Sequence, residues 1–88
     1  MRRISFTPLA FEEYTDWSIE NKIIYKKIIE LLKATSRDPF DGIGKPEKLS
    51  GDYKGKYSRR ITEEHRLVYT VTDDEIIIFS CKYHYPKK

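Results

Sequence analysis

Arg66-Leu67-Val68-Tyr69-Thr70-Val71-Thr72-Asp73-Asp74-Glu75-Ile76-Ile77-Ile78-Phe79-Ser80-Cys81-Lys82-Tyr83 decides the fold. Two runs rich in β-branched and aromatic residues flank Asp73-Asp74, a connection short enough to force a hairpin. The pattern predicts antiparallel strands over Arg66–Thr72 and Glu75–Tyr83. Alternation places Leu67, Tyr69 and Val71 on one face of the first strand and Arg66, Val68 and Thr70 on the other. In the second, Ile77, Phe79, Cys81 and Tyr83 oppose Ile76, Ile78, Ser80, Lys82 and His84.

Working outward, Lys54–Thr62 reads as another strand, joined to Arg66 through Glu63-Glu64, and Arg2–Thr7 alternates with Ile4 and Phe6 on one side. Thr7-Pro8 starts a helix, because threonine caps and proline suits the first turn. That helix, Pro8 to Ser18, turns Ala10, Phe11, Tyr14 and Trp17 to one side, with Glu12 and Glu13 near its N-terminal end. A second, Ile19 to Ser36, carries the stripe Ile24, Ile28, Leu31, Leu32 and Thr35, with Lys22, Lys26, Lys27 and Lys33 toward solvent. Arg37–Asp52 is a long connector punctuated by Pro and Gly, and segments of that kind are usually functional or disordered. Its Gly44 and Pro46 set how Glu47 approaches the sheet. The expected architecture is an α+β domain over residues 1–88. Two N-terminal helices pack on one face of a small, mainly antiparallel twisted sheet.

Composition narrows the function. Hydrophobic residues at 39% and charged ones at 35% fit a globular chain, and an aromatic share of 14% argues against disorder. Net charge is +3, and most of the Lys and Arg beyond residue 44 fall in the segments 44–49, 58–69 and 82–85, a bias toward an anionic partner. Cys81 is the only cysteine, so no internal disulfide forms, which suits a reducing cytosol. It sits in an apolar strand and reads as a small core residue. Met1-Arg2-Arg3 leads into a strand without an apolar signal region, and the apolar runs are too short for a bilayer. His65, His84 and Cys81 are too few for a zinc site, and no Gly-rich phosphate loop precedes a helix, so neither metal nor cofactor is expected.

Ser58-Arg59-Arg60-Ile61-Thr62-Glu63-Glu64-His65-Arg66-Leu67-Val68-Tyr69 brings three guanidiniums to a strand pair, and the planar fork of arginine suits phosphate oxygens. Adding Gly44-Lys45-Pro46-Glu47-Lys48-Leu49 and Lys82-Tyr83-His84-Tyr85 supplies a carboxylate and an imidazole. Cutting RNA without metal needs a base for the ribose 2′-OH, cations for the charge on phosphorus and an acid for the leaving 5′-oxygen. Glu47 can be the base, Arg66 the clamp helped by Arg59 or Arg60, and His84 the acid, since imidazole titrates near neutrality. Lys45 and Lys48 add phosphate contacts, and Tyr85 can stack on a base. Each also has an ordinary reading: a solvated loop glutamate, a rim arginine in an ion pair, a loosely held terminal histidine. His65 at its turn reads as structural or edge-facing. A carboxylate in water is a poor base for a ribose hydroxyl, so Glu47 is expected to be buried against the sheet.

These segments resemble the YoeB (Txe) family of bacterial toxin–antitoxin toxins, within the RelE-like ribonuclease superfamily. The matching residues are 39–47, 58–69 and 81–85, with the Tyr14-x-x-Trp17 of the first helix. The resemblance implies a ribosome-dependent mRNA endonuclease that cuts in the ribosomal A site. It implies Glu47 as general base, Arg66 as transition-state stabiliser and His84 as general acid with Tyr85 beside it. It also implies a cytoplasmic homodimer and a cognate antitoxin, similar to YefM or Axe, that covers the site and represses the operon with the toxin. Two details depart from the pattern. Pro86-Lys87-Lys88 follow the His-Tyr pair on which such chains often end, and Lys48 precedes Leu49 where the family has a lysine after that leucine. The alternatives are a non-catalytic toxin of the same fold, as in gyrase-inhibiting relatives of ParE, and a small basic RNA-binding protein that cuts nothing.

Overall fold

Thr7 and Asn21 punctuate the helical half of the chain. The computed structural model describes residues 2–84. A strand β1 (Arg3–Phe6) leads into α1 (Pro8–Glu20), where the Thr7 hydroxyl accepts from the Ala10 amide at 3.2 Å. Asn21 ends α1 by donating its backbone N–H to the Trp17 carbonyl. Its side chain starts α2 (Lys22–Arg37) by accepting from the amides of Ile23 and Ile24. That cap moves the junction three residues beyond the expected Ser18–Ile19 boundary, since Asn supplies both groups at one position. Four further strands follow: β2 (Glu47–Lys48), β3 (Tyr57–Arg60), β4 (Arg66–Val71) and β5 (Glu75–Ser80), with a single 3₁₀ turn at Gly51–Tyr53.

The strands form one sheet in the order β1-β5-β4-β3-β2, antiparallel except where β1 runs parallel to β5. Both hairpins between β3, β4 and β5 use a threonine hydroxyl. Thr62 accepts from the amides of Glu64 and His65, and Thr72 from those of Asp74 and Glu75. The helices cover one face. Ala10 and Trp17 of α1, Ile28, Leu31 and Leu32 of α2, Leu67, Tyr69, Ile76 and Ile78 of the sheet, and Cys81 just beyond β5 form the core. Each fully buried aliphatic side chain there contributes ~1.5–3 kcal/mol, so this face supplies most of the drive to fold. No helix among the described residues is long and apolar enough to cross a membrane.

Two expected faces are corrected. Val68 pairs with Ser80 and Tyr69 with Ile78, so Phe79 is an extra residue in β5. The bulge flips the alternation, and Cys81 joins Ile76 and Ile78 in the core instead of sharing a face with Ile77 and Phe79. Phe11 is 57% exposed rather than core, its ring edge-on to Phe6. The strand expected to reach Tyr83 stops at Ser80 because α1 captures Cys81. Glu13 Oε1 accepts its N–H at 2.8 Å and Trp17 Nε1 donates to its carbonyl at 2.9 Å.

Arg59, expected to bind phosphate, is buried and organises the connector instead. Its Nε donates to the Tyr69 hydroxyl, Nη1 to the Ile43 carbonyl, and Nη2 to the carbonyls of Asp38 and Asp41. The Tyr69 hydroxyl in turn donates to the Pro39 carbonyl at 2.6 Å. Replacing Arg59 by Met keeps the length and strands these acceptors, a loss of ~3 kcal/mol in urea denaturation given the cost of unsatisfied buried groups. A loss below ~1 kcal/mol would contradict the assignment. Gly44 has φ +83°, and a Cβ there would lie 2.8 Å from Leu31 Cδ2 and 3.2 Å from the Arg60 carbonyl. Gly44→Ala is expected to cost ~2 kcal/mol or more. Gly51→Ala, at φ +63° with nothing within 4 Å of the added carbon, should cost visibly less in the same melts.

Candidate active site

Pairing across the sheet decides which side chains meet. Glu47 lies opposite Ser58, Ser58 opposite Val68, and Arg60 opposite Arg66. Directly opposed residues share a face, so Glu47, Ser58, Arg60 and Arg66 all emerge on the face away from the helices. Adjacent residues of a strand point oppositely, which sends Arg59 inward and leaves Arg60 outward. Gly44, Lys45, Glu47, Ser58, Arg60 and Arg66 line a small open cavity of about 40 Å³. At ~10–15 Å³ per water, that holds a cluster of phosphate oxygens rather than a base.

The Glu47 side of this cavity is fixed from below. With 38–43 held by Arg59, the Gly44 carbonyl accepts from the Arg60 amide at 2.6 Å. Lys45 then turns through φ +49°, a left-handed conformation that costs a lysine ~1–2 kcal/mol. Pro46 and the two-residue edge strand deliver Glu47 to the rim. Glu47 is exposed, which corrects the expectation of burial: an edge strand this short leaves nothing to cover it. Among the described residues, the side chains of Lys45, Glu47, Lys48 and Arg60 make no hydrogen bond or ion pair. Lys45 and Arg60 therefore stand with Glu47 at the cavity with their charge available to a polyanion, and Lys48 adds charge on the opposite face of β2.

The far side holds Arg66 and His84. Arg66 Nη1 donates to the carbonyls of Thr62, Glu63 and His65 at 2.6, 3.0 and 3.1 Å. Its Nε and Nη2 carry no hydrogen bond among the described residues, so one edge of the fork is fixed and the other presented. His84 Nε2 lies 3.3 Å from the same Glu63 carbonyl, which places the imidazole beside the guanidinium.

His84 rides on a short arm after β5 that is anchored twice. Cys81 is held by Glu13 and Trp17 of α1, as described. The Tyr83 amide donates to His65 Nδ1 at 2.8 Å, and the Tyr83 carbonyl accepts from the Arg66 amide at 2.9 Å. Tyr83 takes φ +61°, so the two left-handed non-glycine residues among the described ones, Lys45 and Tyr83, adjoin site residues. Lys82 of the arm pairs with Glu20 at 3.1 Å, which raises its pKa, and lies over the Trp17 ring. Burial raises the Glu13 carboxyl and pushes the Cys81 thiol up to about 12, so that thiol is no nucleophile at neutral pH. Desolvation lowers His65. No cluster of three or more potential metal ligands occurs among the described residues.

Of the residues singled out from sequence, Lys45, Glu47, Arg60 and Arg66 line one cavity and His84 adjoins Arg66. Lys48 sits beside Glu47 on the outer edge, and Arg59 leaves the set. Tyr85 and the tail to Lys88 lie outside the described residues. Ser58 and the anchors Glu13 and Trp17 escaped assignment, while His65, read as structural or edge-facing, is buried and holds the arm. Strand alternation could have separated Arg59 from Arg60. Nothing local in the sequence links residue 13, 17 or 65 to residue 84.

Comparison with known proteins shows the family. Residues 6–85 match the family described as YoeB-like toxin of bacterial type II toxin-antitoxin system. The Toxin YoeB of Escherichia coli strain K12 is 55% identical over 76 residues, 86% of this chain and 90% of that protein. The YoeB dimer from Staphylococcus aureus superposes with a TM-score of 0.88 at 55% identity, covering 96% of this chain and 98% of that one. The YoeB–YefM complex from the same organism gives 0.87 at 56% identity, covering 97% and 99%. The chain belongs to the YoeB family of toxins of bacterial type II toxin–antitoxin systems.

Proposed function

We propose that this toxin is an endoribonuclease that cleaves mRNA in the ribosomal A site by metal-independent acid–base chemistry and so stops translation. The observation that carries the reading is the arrangement around the cavity: a carboxylate on one rim, an adjoining guanidinium and imidazole on the other, and unpaired cations between. Glu47 takes the proton of a ribose 2′-OH, and the freed oxygen attacks the adjacent phosphorus. Arg66, with Arg60 and Lys45, stabilises the charge on the equatorial oxygens. Protonated His84 gives its proton to the 5′-oxygen as the P–O5′ bond breaks, leaving a 2′,3′-cyclic phosphate and a 5′-hydroxyl. The three groups supply base, charge and acid themselves, so the step calls for no metal.

An exposed Glu47 supports the ribosome requirement. In water it is a poor base, and docking against a large RNA partner would remove that water and sharpen each interaction. The basic face also fits an acidic or extended segment of a YefM-like antitoxin lying over the site, the S. aureus YoeB dimer supports a homodimer, and an mRNA substrate on the ribosome implies a cytoplasmic setting.

A translation reaction programmed with a defined mRNA tests the reading. Cuts should map to the A-site codon, appear only with ribosomes, and fall ~10²–10⁴-fold in both Glu47→Ala and His84→Gln. Arrest without cuts would overturn the nuclease reading, and equal cutting of naked RNA would remove the ribosome from it. Arg60→Gln should weaken single-stranded RNA binding at every sequence and lower the log–log salt slope by ~0.7, read by fluorescence anisotropy.

A further inference from the structure

The arm that carries His84 is held by a side chain that can lose its grip. His65 is 7% exposed, its ring edge-on to Trp17 at 4.8 Å, and its Nδ1 accepts the Tyr83 amide proton at 2.8 Å. An imidazole nitrogen accepts only when it carries no proton, so this bond fixes His65 as the Nε2–H tautomer. The next residue, Arg66, opens β4 and donates its amide to the Tyr83 carbonyl. Tyr83 is thus gripped on both sides of its left-handed turn, directly before His84 and directly against Arg66.

We propose that His65 is the positioning residue for His84: its unprotonated Nδ1 holds the Tyr83 amide, so the arm is set only while His65 is neutral. Protonation would place an Nδ1–H against the Tyr83 N–H, two donors with no acceptor between them. The turn at Tyr83 would then open, and the imidazole of His84 would leave the neighbourhood of Arg66. The inference rests on the reading of His84 as general acid.

The charges around His65 fix the direction of the pH response. Glu64 Oε1, 3.8 Å from Nε2, favours the proton; Lys82, His84 and Arg66 oppose it, as does burial, the largest influence. From α1 the facing group is the neutral Trp17, while Glu20 is engaged by Lys82. The net effect lowers the pKa from 6.5. The contribution to stability is therefore complete above pH ~6.5 and lost as the pH falls through the lower folded-state value.

The test separates acceptor, ring and titration. His65→Asn places an amide oxygen near the Nδ1 position and cannot be protonated. His65→Phe keeps a ring against Trp17 and removes the acceptor. Amide-exchange protection factors for Tyr83, measured by NMR between pH 5 and 7.5, are expected to fall with decreasing pH in the wild type. They should stay level in His65→Asn and be lost at every pH in His65→Phe. Cleavage by His65→Phe should drop more than tenfold at saturating ribosomes with little change in half-saturation, and His65→Asn should recover part of that loss. Protection of Tyr83 in His65→Phe equal to wild type, or an unchanged pH dependence in His65→Asn, would overturn the proposal. If His65→Phe does not fold, the wild-type and His65→Asn pH series decide alone. If wild-type protein cleaves nothing, the nuclease reading fails, while the Tyr83 exchange data still decide the clamp.

Discussion

The guanidinium of Arg59 is the interaction on which the rest of the structure depends. It is a full charge inside the protein, and among the described residues no carboxylate pairs with it; its acceptors are three connector carbonyls and the Tyr69 hydroxyl. A buried cation without acceptors is prohibitive, so the 38–43 segment must wrap it for the chain to fold. Once wrapped, the connector can leave only along β3, through the Gly44 carbonyl and the Arg60 amide, and Glu47 is the residue that this path places opposite Ser58. A structural arginine thereby determines where a neighbouring carboxylate stands.

The opposite rim is built by the same logic with different chemistry. Glu13 and Trp17 take the two backbone groups of Cys81 that the sheet would otherwise use, and β5 ends there. His65 and the Arg66 amide then take those of Tyr83. The helical layer is therefore more than a cover for the core, because it aims the arm bearing His84. Left-handed turns at Lys45 and Tyr83, each costing ~1–2 kcal/mol, mark the two places where this anchoring overrides local preference.

Much of this was legible beforehand. The α2 stripe Ile28, Leu31, Leu32 and Thr35 is buried as its spacing implied, and the two hairpins fall at Glu63-Glu64 and Asp73-Asp74. The failures share a cause. The bulge at Phe79 and the capture of Cys81 by α1 are tertiary events, in which one residue more or one distant acceptor outweighs a periodic pattern, whereas the inward turn of Arg59 follows the alternation that pairs it with Leu67. Glu47 was expected under cover because its chemistry asks for it. The chain alone leaves it open, which is consistent with a site completed by a much larger partner.

The central claim is that a ribose 2′-hydroxyl, activated by Glu47, is the nucleophile, and the chemical ends of the cut RNA test it most directly. Mass spectrometry of fragments from translating ribosomes should find a 2′,3′-cyclic phosphate or its 3′-phosphate hydrolysis product upstream and a 5′-hydroxyl downstream. A 3′-hydroxyl paired with a 5′-phosphate would mean that water, not the ribose, attacked phosphorus, and would contradict the roles assigned to Glu47 and His84.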